Sequence, residues 1–382
     1  MSPLNPIFAF IVYFISYATT YIFNTKHLKR NDSLSFDTID GLRGFLAIGV
    51  FIHHSYIWYQ YLQTNSWKAP DSNLYNQLGE TSVSLFFMIT AFLFSTKLLN
   101  TNVGKIDWYT IFISRFFRLA PMYFVSISIL ILIIFTISNW VLNVSITKFL
   151  IELFCWATFT IIYRPDINNF IHTNLINAGV VWSLSYEWLF YASLPILSIL
   201  LLKKKTSTIY VTLSVLFVFI YFIVHNINYN HLLSFFGGII TSLIIKHNSK
   251  RINFNSKINS IIILLCLFIM LLFRSPDNYI CKILLTIIFI LIALGNDFFG
   301  ILKSSRLKLL GDISYSIYLI HGIIIFIIMF FYFNLDKAKQ LSSTNFCITI
   351  FIITPIIVIT SYLTHKYIEM PFINYSKKIK KR

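Results

Sequence analysis

Long apolar stretches alternate with short polar segments along the whole chain. Runs of membrane-spanning length occupy about 5–24, 41–59, 80–97, 119–138, 180–202, 207–225, 231–246, 258–274, 280–295, 312–333 and 346–366. A bilayer core about 30 Å thick needs roughly 20 mostly apolar residues in a helix. The pattern therefore predicts an all-α polytopic membrane protein with about eleven transmembrane helices. A further apolar stretch, 149–163, is shorter and leads into a polar segment, 164–178. It is expected to be re-entrant or interfacial. No internal repeat is evident, which speaks against a transporter built from inverted repeats.

The basic residues orient this series. With the N-terminus outside and the spans alternating, 24 of the 31 Lys and Arg fall in cytoplasmic segments; Lys68, Lys148, Arg164, Arg274, Lys282, Lys337 and Lys339 fall outside. Counting 149–163 as a span would move the Lys203–Lys205 cluster outside, so the positive-inside rule favours eleven spans, N-out and C-in. The net charge of +17 then reads as loop asymmetry, with no nucleic-acid partner implied. The apolar N-terminus, Pro6 to Phe23, lacks both a basic leader and an A-x-A-like cleavage site, and reads as a retained helix. Trp58, Tyr59, Tyr61, Trp67, Trp108 and Trp140 lie near the predicted interfaces, as an aromatic belt would.

Composition agrees with the pattern. The chain of 382 residues is 57% hydrophobic and 12% charged, half the charged fraction of an average soluble domain. Its four cysteines form no C-x-x-C pair, so neither a disulfide framework nor a zinc site is indicated. Three parts are expected: 1–30, an N-terminal helix with a basic loop; 31–375, the membrane domain; and 376–382, a basic cytoplasmic tail.

Against this background a few polar side chains stand out. The second run, DGLRGFLAIGVFIHH, carries Arg43 near one end and His53 and His54 deep along it. Ionisable groups inside a span are costly and usually retained for function. Arg43 and His54 are eleven positions apart, about 16 Å along a helix at 1.5 Å per residue. Asp40 could cap this helix, and Arg43 could be a snorkelling arginine paired with Asp40 or an anion clamp, since guanidinium grips phosphate bidentately. His53 and His54 point about 100° apart, so a shared metal is not indicated. One of them could act as a general base or carry a group transiently. Arg115 and Arg118, three apart on one helix face, are either positive-inside anchors or a phosphate site. Trp182-Ser183-Leu-Ser-Tyr-Glu187 opens the span at 180–202, and Glu187 is a carboxylate inside an apolar run. It could orient a histidine or make a structural hydrogen bond. Ser314, Tyr315 and His321 add hydroxyls and a mid-membrane histidine to the span at 312–333.

Four boxes in this order, DGLRG with a histidine eleven residues after its arginine, RFFRLAP, WSLSYEW and GDISYSIYLIH, resemble the acyltransferase family 3 membrane proteins. The resemblance runs from about Asp40 to Phe372. Members have about ten spans, which makes the Pro6–Phe23 helix an additional one. The resemblance implies a bacterial inner-membrane enzyme that moves an acyl group, usually acetyl, from cytoplasmic acyl-CoA to a hydroxyl of an extracytoplasmic carbohydrate, such as lipopolysaccharide O-antigen or another surface polysaccharide. It implies acetyl-CoA as co-substrate with no bound cofactor or metal, and a carbohydrate or glycolipid acceptor. Some members carry a C-terminal extracytoplasmic esterase-like domain, which this chain is expected to do without. By motif, Arg43 and His54 match the family's essential arginine and histidine, Arg115 and Arg118 its second arginine pair, and Glu187 its acidic position. His53 does not match in spacing. The arginines would hold the phosphate-rich head of coenzyme A, His54 would deprotonate the acceptor hydroxyl or briefly carry the acyl group, and Glu187 would orient His54 or stabilise its imidazolium. Asp40, His53, Trp182, Ser183, Ser314, Tyr315 and His321 would support the site. A lipid-linked sugar transporter or flippase, or a non-catalytic envelope scaffold, would also place charges in the membrane, but neither needs arginines and a histidine at thioester reach.

Overall fold

The computed structural model describes residues 1–23, 36–101, 106–202, 206–225, 227–247, 255–275 and 277–379. Lys26, Lys29, Arg30, Lys105, Lys203–Lys205, Lys250, Arg251 and the end of the basic tail lie outside the described residues, as does the expected boundary at residue 30. The described chain is all-α, without strands. Its helices are α1 (Pro6–Thr19), α2 (Asp37–Thr64), α3 (Asn73–Asn100), α4 (Trp108–Ile137), α5 (Ile146–Ala157), α6 (Trp182–Leu202), α7 (Thr208–Val224), α8 (Tyr229–His247), α9 (Lys257–Met270), α10 (Tyr279–Ala293), α11 (Ser305–Asp312), α12 (Ser314–Tyr332), α13 (Leu335–Lys339) and α14 (Ser343–Ile379).

Each of the eleven apolar runs coincides with a helix. Among the described residues, α3, α4, α6, α12 and α14 are long and apolar enough to cross a membrane by length and composition. Four more apolar helices, at Pro6–Ile22, Thr208–Val224, Lys257–Met270 and Tyr279–Ala293, are shorter. The stretch at 149–163 forms α5, whose 12 residues reach about 18 Å, too short to span.

The chain divides into two compact units. The first comprises Met1–Ser95 and Asn230–Tyr362, and α2 is its centre. Eighteen of the 28 residues of α2 are buried, on every side of the helix. A helix buried all round is a core element rather than a lipid-facing one. It packs against α1, α3, α10, α11, α12 and α13. Glycines permit the closest of these contacts. A β-carbon on Gly41 would overlap the carbonyl of Leu302, one on Gly44 that of Leu307, and one on Gly311 that of Asp40. In lipid, where apolar burial drives helices together only weakly, such close backbone packing is a main source of adhesion.

The structure starts α2 at Asp37, so Asp40 lies in its first turn and is not the cap; Phe36 holds that position without a side-chain bond. Asp37 and Asp40 together place negative charge at the positive end of the helix. Asp37 also pairs with Lys308 at 3.0 Å. Trp58 is 1% exposed, packed edge-on against Tyr61, Trp67 and Phe326, and so belongs to the core instead of an aromatic belt. The helix α3 widens into one π turn over Gln77–Thr81, against which the ring of His53 packs at Gly79.

The second unit comprises Thr96–Tyr229 and Leu363–Arg382. Asp107 caps α4 by accepting from the Thr110 amide at 3.0 Å. Glu152 on α5 accepts from the Asn168 amide at 2.9 Å, which ties down the loop leading to α6. On α7 only Ser214 and Tyr221 are buried. Leu213, Leu216, Phe219 and Ile223 stay exposed, as expected for a helix whose solvent is lipid.

Candidate functional site

In the first unit Arg43 and His54 fall on one stripe of α2. The helix is unbroken from Asp37 to Thr64. At 3.6 residues per turn, positions 43 and 54 differ by about 20° in direction and about 16 Å in height. Ala47 and Val50, 0% and 1% exposed, lie between them on the same stripe. Arg43 and Asp40 are both half-buried. Gly311 brings the end of α11 onto the Asp40 backbone, and Asp312, Ser314 and Tyr315 follow it in sequence. Ser314 is buried and Tyr315 half-buried.

His54 is half-buried, and its Nδ1 lies 2.9 Å from Nε2 of His321 on α12. The second nitrogen of His321, Nδ1, lies 2.9 Å from the carbonyl oxygen of Ile317, one turn back on its own helix. The ring of His321 is wholly buried, with Phe51 and Tyr318 set edge-on around it. The indole of Trp67, half-buried, lies nearly parallel to the His54 ring with centroids 6.5 Å apart. His53 faces elsewhere: its Nδ1 is 2.8 Å from the Tyr75 carbonyl oxygen. A carbonyl accepts only, so His53 donates there and fastens α2 to the start of α3.

In the second unit the Tyr191 hydroxyl donates to the Glu187 carboxylate and also bonds the Arg115 guanidinium. Glu187 and Tyr191 are one turn apart on α6, and Tyr191 is 1% exposed. Arg115 and Arg118 are half-buried on α4. Ser183 is buried and donates to the Val180 carbonyl at 3.3 Å, which closes the first turn of α6, while Trp182 is half-buried and packs edge-on against Tyr186. A guanidinium and a carboxylate that share one phenol offset each other's charge inside an apolar helix pair, and the neutral phenol bonds both.

The structure thus joins His54 to His321, and Arg115 to Glu187 through Tyr191. Three participants escape a reading of the sequence alone. Tyr191 had a signal, its i, i+4 spacing from Glu187. The Ile317 carbonyl and Trp67 had none, because a backbone acceptor carries no residue type and Trp67 sits in a loop. Among the described residues no group of three or more His, Cys, Asp or Glu is placed to hold a metal.

A family model described as an acyltransferase domain, that of acyltransferase family 3, matches residues 36–365. No curated protein and no solved structure matches the chain.

Proposed function

The chain belongs to acyltransferase family 3 and is a membrane acyltransferase, and from that premise we propose that it moves an acyl group, acetyl in the first instance, from cytoplasmic acyl-CoA to a hydroxyl of an extracytoplasmic carbohydrate. The observation that carries this reading is the α2 stripe: an arginine near the helix start and a histidine on the same face about 16 Å further along. Coenzyme A has a phosphate-rich head and a long, thin, nearly uncharged arm. A guanidinium at the membrane edge suits the head, and a neutral imidazole inside suits a thioester. Arg43, Arg115 and Arg118 are the proposed donor-binding residues, His54 the proposed base or acyl carrier, and Glu187 the proposed acidic residue beside the acceptor hydroxyl. The proposed setting is a bacterial inner membrane with Arg43 toward the cytoplasm. Positive-inside asymmetry supports that orientation.

The test is transfer of label from radiolabelled acetyl-CoA into a glycolipid or polysaccharide fraction by membranes carrying the protein, wild type beside His54→Ala. Label appearing only with wild type supports the reading. A His54→Ala protein that retains more than a tenth of the wild-type rate removes His54 from the chemistry, and a well-folded wild type inert toward several acyl donors and acceptors removes the reading.

A further inference from the structure

We infer that His321 is the positioning residue of the reaction: it fixes the tautomer of His54, so that Nε2 of His54 is the nitrogen that takes the acceptor's proton. The inference rests on the acyl-transfer reading above and specifies its base at the level of one atom.

The Ile317 carbonyl oxygen, 2.9 Å from His321 Nδ1, has no proton to give, so Nδ1 of His321 carries one. His321 is 0% exposed, and beside it lie that carbonyl, the Tyr318 backbone, His54 and the rings of Phe51 and Tyr318. An imidazolium there would be buried with no carboxylate in contact among the described residues, the costlier of its two states. His321 is therefore neutral, and its Nε2 holds a lone pair. That lone pair faces Nδ1 of His54 at 2.9 Å, so Nδ1 of His54 is the donor. A neutral His54 protonated at Nδ1 is bare at Nε2.

The ring geometry supports a directed bond. The two centroids are 5.1 Å apart with planes at 20°. This separation exceeds the nitrogen–nitrogen distance by two imidazole ring radii. The rings therefore meet edge to edge, near one plane, with lone pair and N–H aligned. A face-to-face stack would bring the centroids closer than that.

The order carbonyl, histidine, histidine performs the orienting task that a carboxylate performs in other base–orienter pairs. A carboxylate would add a full buried charge at this depth, whereas imidazole adds none. The proton cannot leave by this route, because the chain ends on a carbonyl. It stays at His54 Nε2. In the step that follows, the acceptor O–H bond breaks and its proton moves to Nε2 as the oxygen pair adds to the thioester carbonyl carbon. Collapse of the tetrahedral intermediate breaks the C–S bond, and the coenzyme A sulfur leaves with that pair and recovers the proton from Nε2. The protein ends as it began, with no proton gained.

The experiment uses the full-length protein in detergent or lipid, with labelled acetyl-CoA and the acceptor fraction identified above. His321→Phe keeps a ring and removes both nitrogens. His321→Gln keeps an acceptor oxygen at about the depth of Nε2. The expected result is a kcat lowered about 10²- to 10³-fold in His321→Phe with both KM values near wild type, and recovery to within about tenfold of wild type in His321→Gln. Nitrogen-15 spectroscopy of the wild type, labelled at histidine, should find His54 protonated at Nδ1 and bare at Nε2 at neutral pH. A wild-type kcat in His321→Phe, an equal loss in folded Phe and Gln variants, or a His54 protonated at Nε2 overturns the inference. The spectrum decides even where His321→Phe fails to fold. These outcomes differ from failure of acyl transfer itself, which appears as an inert wild type or an active His54→Ala.

Discussion

Gly311 lies so close to Asp40 that a β-carbon on the glycine would overlap the aspartate's carbonyl oxygen. The first and last of the four sequence boxes, DGLRG and GDISYS, thus meet backbone to backbone, with Gly41 and Gly44 making the same close approach to Leu302 and Leu307. These glycines join α2 to α11 and the turn before it. Gly311→Ala or Gly44→Val must push the helices apart, at a cost of about 1–3 kcal/mol. Thermal unfolding in detergent should show a clear loss for either variant. An unchanged midpoint for both would mean that the helices are not held this closely.

Much of this architecture is legible without coordinates. Every apolar run became a helix, because in lipid each backbone polar group must find its partner within its own segment. The sites were partly legible. Arg43, His54, Glu187 and His321 were visible as charges or imidazoles in apolar runs, where desolvation makes each costly to keep. Their pairing was not legible. His54 and His321 are 267 positions apart, and spacing cannot say which distant helix supplies a partner. Lys282 makes the same point from the other side. Counting assigned it to an outer segment, yet it is 5% exposed on α10, donating to Ser84 at 2.8 Å and to Ser234 at 3.4 Å and pairing with Asp277 at 3.7 Å.

Adjacent histidines should fail in different ways. His53 donates to the Tyr75 carbonyl at 2.8 Å and fills the wide turn of α3 at Gly79. His53→Leu removes this buried hydrogen bond, which costs about 1–3 kcal/mol. The expected signature is a lowered unfolding midpoint, with the remaining folded protein still transferring label. His54→Ala should show the reverse, near-normal unfolding and no transfer. Loss of transfer in a His53→Leu protein as stable as wild type would assign His53 a chemical role.

Tyr191 couples two charges of opposite sign. Its hydroxyl bonds both Glu187 and Arg115, so Tyr191→Phe takes one buried hydrogen bond from each. The expected loss of stability is about 1–3 kcal/mol. In a double-mutant cycle with Glu187→Gln the losses should be less than additive, by an interaction on the order of 0.5–3 kcal/mol. Strict additivity would show that the phenol and the carboxylate act independently.

Trp67 presents a flat apolar face beside His54, its plane 19° from the imidazole. Sugar rings carry apolar C–H faces that pack on such surfaces, so this indole is suited to the acceptor side of the proposed reaction. An aromatic contact of this kind contributes about 0.5–1.5 kcal/mol beyond area burial. Trp67→Ala should therefore raise the KM for the carbohydrate acceptor by roughly 3- to 10-fold, with the KM for acetyl-CoA unchanged and Trp67→Phe intermediate. An effect confined to the acetyl-CoA KM would move Trp67 to the donor side.

Arg43 can be tested through its chemistry instead of its charge alone. It stands about 16 Å from His54 along α2, far enough that it cannot touch a thioester held at His54. If it grips the phosphates of coenzyme A, Arg43→Lys keeps the charge and loses the bidentate fork, a difference of roughly one charge-assisted hydrogen bond. At about 1.4 kcal/mol per factor of ten, the KM for acetyl-CoA should rise on the order of tenfold or more. Acetyl-pantetheine carries the thioester arm without the nucleotide phosphates. Its KM should be high with wild type and should not rise further in Arg43→Lys, because this donor has no nucleotide phosphate for the guanidinium to grip. Two other results would count against the assignment. A parallel rise for both donors would mean that Arg43 shapes the path of the arm or the helix itself. A kcat defect with unchanged KM for either donor would place its influence at the reacting atoms, where the length of α2 says it should not reach.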